Sequence, residues 1–137
     1  MIAWTAAYVG TPFTDKGRDL RGADCWGLVR LVYANQLGIE LPSYGEISAM
    51  DMARVARAIG GGKAGQSWVP VERDQLRAFD VVVMRGHGTR ETCHVGVMVD
   101  VTHILHVERG IDAVAVPLNH WTVKRRLIAF RRHVSLI

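Results

Sequence analysis

GADCWGLVRLVY, residues 22–33, is the stretch that decides the fold, because a glycine-rich polar loop becomes a long apolar run there. The carboxylate of Asp24 is a favourable N-cap, so we expect a helix from about Asp24 to about Gln36, with Gly38 as its stop. Apolar side chains go most of the way round this helix, which predicts that it is buried. Gly27 costs up to about 1 kcal/mol relative to alanine within a helix, and it indicates that another backbone or a substrate passes close by.

Cys25 stands where this helix begins, which makes it the candidate nucleophile. The first N–H groups of a helix have no internal partner, and the helix dipole adds partial positive charge there. Both favour thiolate over thiol. The alternative is a buried structural thiol, since free cysteine is among the most buried residue types. The other cysteine, Cys93, is expected to be structural, because strand alternation sends it to the face opposite His94.

The composition predicts a single domain, residues 1–137, without a disulfide framework or a membrane-spanning segment. The net charge of +4 favours an anionic partner, but it is too dispersed to indicate nucleic acid. The pair Arg131-Arg132 is interpreted as a solvated strand end. The first residues lack the basic start and the apolar run of a signal peptide.

The hydrophobic pattern changes period near the middle of the chain. Residues 48–59 have the cap and the spacing of a small amphipathic helix, and a glycine-rich loop at 60–65 follows. A helical half followed by short strands predicts an α+β fold, with helices packed on one side of an antiparallel β-sheet. The predicted strands are Val81–Met84, His94–Val99, Ile104–Val107, Ala113–Val116 and Leu127–Arg131.

Two of the six histidines stand where they can serve Cys25 as a base. His94 opens one predicted strand and His106 lies in the next. A hairpin with an odd-length loop centred on Asp100 would make these histidines cross-strand partners on one face, whereas a loop of even length would separate them. In the first case Cys25 attacks a carbonyl carbon, His94 takes the thiol proton and later protonates the leaving amine, and His106 orients His94. The N–H of Cys25 is a natural oxyanion donor.

A zinc site is the metal alternative. No Cys-x-x-Cys spacing exists, and two of the four usable ligands should point to opposite faces of a strand, so we predict no metal and no cofactor. The four ligands considered are Cys25, Cys93, His94 and His106.

Together these motifs resemble the NlpC family of papain-like cysteine peptidases, over nearly the whole chain. The closest resemblance is to the branch found in bacteriophage tails and prophage elements, where similar Gly-Arg-Asp, Asp-Cys-Trp-Gly-Leu-Val-Arg and Gly-Ile-x-Leu-Pro stretches occur. The matching segments here are Gly10–Phe13, Gly17–Asp19, Asp24–Arg30, Gly38–Pro42, His94–Val97 and Leu105-His106.

The resemblance implies a papain-like fold and cleavage of peptide bonds in the stem peptides of peptidoglycan. It assigns Cys25, His94 and His106 as nucleophile, base and orienting residue. Many members carry tyrosine at the position of Phe13, with its hydroxyl near the oxyanion site, and Phe13 cannot donate that hydrogen bond. Candidate oxyanion or substrate contacts are Phe13, Asp24 and Trp26, although Asp24 is first an N-cap and Trp26 first a core residue.

The leading functional hypothesis is a phage tail-associated cell-wall hydrolase that aids penetration. Such a protein is made in the host cytoplasm without a signal peptide, is carried by the virion and acts in the periplasm or cell wall. Its expected partners are peptidoglycan and other tail proteins. The alternative is a structural tail-tip protein with the same fold and little or no activity. Acyl transfer or amide hydrolysis on another substrate would use the same three residues.

Overall fold

The helix predicted from residues 22–33 is present. Helix α1 spans Cys25–Val32 and continues as one π-helical turn over Tyr33–Leu37. Asp24 caps its start with an extended backbone, and its carboxylate accepts a hydrogen bond from the N–H of Gly27. Gly38 ends the helix in the left-handed conformation with φ of 65°, as expected of a glycine stop.

The computed structural model describes residues 3–42, 67–86 and 93–137, except for the side chains of Ala3 and Cys93. The predicted helix at 48–59 and the glycine-rich loop at 60–65 lie outside the described residues. The described part confirms the α+β class, since one short helix packs against a large antiparallel sheet. No helix in these three ranges is long and apolar enough to cross a membrane.

The main sheet has six antiparallel strands in the order β3-β8-β4-β5-β6-β7, and β1 and β2 form a separate pair. All five predicted strands are present, each within two residues of its predicted bounds. The first three strands, which are only two or three residues long, were not predicted, because such short runs show no alternation. The strands are β1 Arg18–Asp19, β2 Gly22–Ala23, β3 Trp68–Pro70, β4 Val81–Arg85, β5 Cys93–Met98, β6 His103–Glu108, β7 Ile111–Pro117 and β8 Leu127–His133.

Each face of the sheet carries its own apolar core. On the first face, α1 packs against β5 and β6 through side chains that include Val95 and Leu105. On the second face, Met98 and Ile104 belong to a smaller cluster that the segments around residues 76 and 118–123 cover. Because successive strand residues alternate between faces, His94 and His106 continue the second face.

Arg132 corrects one sequence interpretation. It was expected to be solvated, but its guanidinium binds both carboxylate oxygens of Asp80, at 2.8 and 2.7 Å. Asp80 is fully buried, and a buried carboxylate needs a charged, hydrogen-bonding partner. Arg132 therefore ties β8 to the start of β4.

Gly27 meets the backbone of the polar loop, which accounts for a glycine in the first turn of a helix. A Cβ at this position would lie 2.1 Å from the carbonyl oxygen of Gly17. We therefore expect Gly27→Ala to lower the free energy of unfolding by about 1–3 kcal/mol through overpacking, although alanine is the better helix former. Urea unfolding followed by circular dichroism measures this loss.

Gly38→Ala is the matched control. A Cβ there has no atom within 4 Å, so its cost comes only from the positive φ and should be about 1–2 kcal/mol. A Gly27→Ala protein as stable as the wild type would contradict the close approach of Gly17.

Candidate active site

Hydrogen bonds on both sides fix the start of α1. The Oδ1 of Asp24 accepts from the N–H of Gly27 at 2.7 Å and from the Arg18 guanidinium at 2.6 Å. The N–H of Asp24 donates to the Gly17 carbonyl at 3.2 Å. Asp24 and Cys25 are both buried, and within the described ranges the second carboxylate oxygen of Asp24 has no hydrogen-bond partner. The thiol is thus held in the interior at a defined place.

The ladder of hydrogen bonds between β5 and β6 ends near the residue that contacts the thiol. Both strands continue further, but they pair only at Val97 with Leu105 and at Met98 with Ile104. Alternate N–H groups of β5 point towards β6. The N–H group of Val95 is one of them, but it lies beyond the last residue pair and has no partner on β6 in the ladder.

The backbone of Val95 instead forms a hydrogen bond with Cys25, and this bond lowers the pKa of the thiol. The start of the helix therefore lies against β5 at the residue that follows His94.

Burial nevertheless raises the pKa of the Cys25 thiol to about 12. The negative charges of Asp24 and Glu108 act in the same direction, while the backbone hydrogen bonds of Val95 and Trp26 oppose them. The N–H group of Trp26 at the helix start favours the thiolate, as predicted, but burial outweighs this effect and keeps the thiol protonated. The cause is that the interior penalises the anion more than two N–H groups stabilise it.

The structure brings the two predicted histidines together. The Nε2 of His94 and the Nδ1 of His106 are 2.8 Å apart and share one proton, and the ring centroids are 5.0 Å apart with planes at 65°. Both side chains are buried. Because Nε2 of His94 faces the other ring, its Nδ1 is the nitrogen that remains to accept a proton.

The register of the hairpin differs by one position from the prediction. Pairing of Met98 with Ile104 centres the loop on residue 101 rather than on Asp100, so the loop has odd length and the histidines share a face as diagonal neighbours. A Cβ at Gly96 would lie 3.0 Å from the Cβ of His106. Only glycine leaves this side of β5 open to the second ring.

Both histidines are neutral at pH 7. Burial lowers the pKa of His94 to about 3. The charges of His106 and Arg126 lower this pKa further, and the charge of Glu108 opposes them. Burial likewise lowers the pKa of His106 to about 4, again against the attraction of Glu108. At pH 7 the thiol is therefore protonated and both rings are neutral.

Glu108 and Arg126 complete the cluster, and neither was predicted. Arg126 donates to both carboxylate oxygens of Glu108, at 3.0 and 2.7 Å, and Oε2 of Glu108 lies 4.0 Å from Nε2 of His94. Glu108 follows His106 by two residues, so strand alternation could have placed it on the same face. Nothing local marks Arg126, which stands in a basic run of the β7–β8 connection.

The other candidate contacts lie beside the helix start. Phe13 bridges to Ala23 and is half-buried, with the Arg109 guanidinium 5.2 Å from its ring centroid. Trp26 is fully buried and donates its indole N–H to the Pro42 carbonyl at 2.9 Å, so its side chain is part of the core. Asp24 serves as the cap and as the partner of Arg18.

The residues most suited to a metal are His94, His106 and Glu108, whose ligand atoms lie within 4.8 Å of one another. Two of these atoms already share a proton, and the carboxylate already binds Arg126. A cation there would have to displace both interactions. The side chain of Cys93, a ligand considered from the sequence, lies outside the described residues.

Comparison with known proteins gives one family. The model of the NlpC/P60 family matches residues 10–132. No curated protein matches the chain.

Several solved structures share the fold. An NlpC/P60 family protein from Bacillus cereus has a TM-score of 0.65 and 19% identity over 93% of this chain and 37% of its own. The NlpC/p60 domain of the peptidoglycan hydrolase SagA has a TM-score of 0.59 and 20% identity, over 96% of this chain and 94% of its own. An NLP/P60 family protein from Staphylococcus aureus, described as similar to a lipoprotein, has a TM-score of 0.64 and 22% identity, over 97% of this chain and 40% of its own. The chain thus spans well under half of the two longer proteins.

The buried histidines predict a loss of stability in mild acid. Their folded-state pKa values lie below the ordinary 6.5, so the unfolded chain binds more protons as the pH falls below about 6.5. Stability is therefore complete above that pH and falls towards pH 4, by up to about 1.4 kcal/mol per pH unit for each histidine. Urea unfolding at pH 7.5, 6 and 5 measures the slope.

A His106→Gln variant should show a shallower slope over this range. His103→Gln is the matched control, because the His103 side chain reaches solvent at the β5–β6 turn, and it should keep the wild-type slope. Equal stability of the wild type at pH 7.5 and pH 5 would contradict two buried neutral histidines.

Proposed function

Since this chain belongs to the NlpC/P60 family, we propose that it is a cysteine endopeptidase that cleaves stem peptides of peptidoglycan. The observation that carries the proposal is that a helix-terminal thiol forms a hydrogen bond with the backbone of Val95, the residue after His94, whose ring is hydrogen-bonded to that of His106. Hydrolysis of murein is the activity named for SagA, whose NlpC/p60 domain shares this fold.

The proposed reaction uses three side chains. Nδ1 of His94 takes the proton of Cys25 as the sulfur attacks the carbonyl carbon of the scissile bond. The same proton passes to the leaving amine as the carbon–nitrogen bond breaks, and water then hydrolyses the thioester. His106 keeps Nε2 of His94 occupied, so that Nδ1 is the basic nitrogen. The N–H of Cys25 at the helix start is the proposed oxyanion donor.

The proposal extends to a phage tail or a related prophage particle, which would bring the enzyme to the cell wall without secretion. Support comes from the sequence, in the tail-like stretches Gly17–Asp19, Asp24–Arg30 and Gly38–Pro42. Other tail proteins would then be its partners. Mass spectrometry of particles purified from a producing strain should detect the chain, and particles that lack it would contradict this placement.

Release of peptide fragments from purified murein sacculi tests the activity. Cys25→Ala should reduce release by about a thousandfold or more, because no other group of the site can form the covalent intermediate. Cys93→Ala is the matched control and should retain the wild-type rate. Equal release by the wild type and Cys25→Ala would refute the proposed activity.

One observation favours a structural tail-tip protein instead: the deep burial and raised pKa of the Cys25 thiol. This alternative predicts no release from sacculi. It also predicts that alkylation of Cys25 by iodoacetamide rises about tenfold per pH unit up to strongly alkaline pH, as for a thiol without a base. A pH-independent alkylation rate near neutrality would instead favour the peptidase.

A further inference from the structure

We propose that Glu108, held by Arg126, is a positioning residue for the histidine pair. Its carboxylate keeps the two rings oriented and stabilises the imidazolium of His94 when Cys25 gives up its proton. The inference rests on the proposed function and adds two residues to it. Both lie outside the set of three side chains that take part in proton transfer and attack.

The carboxylate has a fixed position. Arg126 binds both oxygens of Glu108, and its remaining donors reach the carbonyls of Thr122, at 3.1 Å, and Arg85, at 3.0 Å. The guanidinium is therefore anchored to the end of β4 and to the β7–β8 connection. A carboxylate bound in this bidentate way cannot turn, and its Oε2 stays 4.0 Å from Nε2 of His94.

The charge of Glu108 is the only negative charge that the described ranges place beside the two rings. The other charged or titratable groups that act on the pair are Arg126 and His120 from the β7–β8 connection. Arg126 disfavours protonation of both rings, and His120 that of His106, whereas Glu108 favours it for both. Glu108 thus balances a guanidinium that would otherwise oppose the imidazolium.

Glu108 also remains ionised despite its burial. Burial alone would raise its pKa, but the hydrogen bonds from Arg126 and the charges of His94, Arg126 and His106 hold the pKa below its usual range. The carboxylate is therefore present as an anion at neutral pH, when the proton moves from Cys25 to His94. Its effect on the ring is electrostatic, through the 4.0 Å separation, and needs no proton transfer to Glu108.

Alkylation of Cys25 by iodoacetamide from pH 5 to pH 10 tests this role without any substrate. Mass spectrometry of the Cys25 peptide separates its rate from that of Cys93. The wild type should show a pH-independent region near neutrality, where sulfur reacts as its proton passes to His94. Glu108→Gln should lower that region by about tenfold, as for a shift of about one pKa unit, while the rate at pH 10 stays equal or rises.

Two variants separate positioning from stability. Glu108→Gln with Arg126→Gln removes both charges and should restore most of the neutral-pH rate. Asp80→Asn removes the carboxylate of the other buried bidentate pair, so it should lower the melting temperature and leave the alkylation profile unchanged. If Glu108→Gln does not fold, Glu108→Asp can be used instead. Its shorter side chain keeps the negative charge but holds it further from His94, so it should slow alkylation only near neutral pH.

Three outcomes would overturn the inference. The first is an alkylation profile of Glu108→Gln or Glu108→Asp that superimposes on that of the wild type, or differs from it by the same factor at every pH. The second is a wild-type alkylation rate with no pH-independent region near neutrality. The third is a change in the alkylation profile of Asp80→Asn equal to that of Glu108→Gln. Release from sacculi, measured in parallel, keeps the two proposals apart. If peptide release depends on Cys25 but the alkylation profiles of the wild type and Glu108→Gln are parallel, only the role of Glu108 is refuted. If those profiles differ at neutral pH but not at pH 10, and no peptide is released, only the peptidase activity is refuted.

Discussion

The end of the β5–β6 ladder is the constraint on which the candidate site depends. Pairing ends at Val97 and Leu105, although both strands continue, and the start of α1 contacts β5 just beyond that point, at Val95. An unpaired backbone group in the interior is costly, and the hydrogen bond between Val95 and the Cys25 thiol meets that cost. The missing side chain of Gly96 lets two histidines from neighbouring strands approach each other.

Two buried ion pairs fasten β8 and the segment before it to the rest of the sheet. Arg126 binds Glu108 of β6, and Arg132 binds Asp80, which precedes β4. In each pair the guanidinium meets both carboxylate oxygens, the geometry that best offsets the desolvation of two buried charges. One pair borders the histidines and the other does not, so equivalent interactions serve different purposes in the two places.

Local signals explain what the sequence could predict. The Asp24 cap and the Gly38 stop fix the helix, and the even separation of His94 and His106 puts them on one face. The register could not be predicted, because Asp100 accepts hydrogen bonds from the N–H groups of Thr102 and His103 and so begins the turn instead of centring it. The pairing of Glu108 with Arg126 was also beyond prediction, since it depends on a contact between distant segments.

The thiol of Cys25 and the rings of His94 and His106 are uncharged at neutral pH. Catalysis through them would therefore require the surrounding groups to stabilise charges that do not exist at rest. Transfer of a proton from Cys25 to His94 creates an anion and a cation in a place with little water, where each is costly alone. Backbone groups of Val95 and Trp26 favour the anion, and Glu108 favours the cation. In the proposed mechanism, then, helix α1 and strand β5 stabilise the sulfur, and strand β6 stabilises the ring that takes its proton.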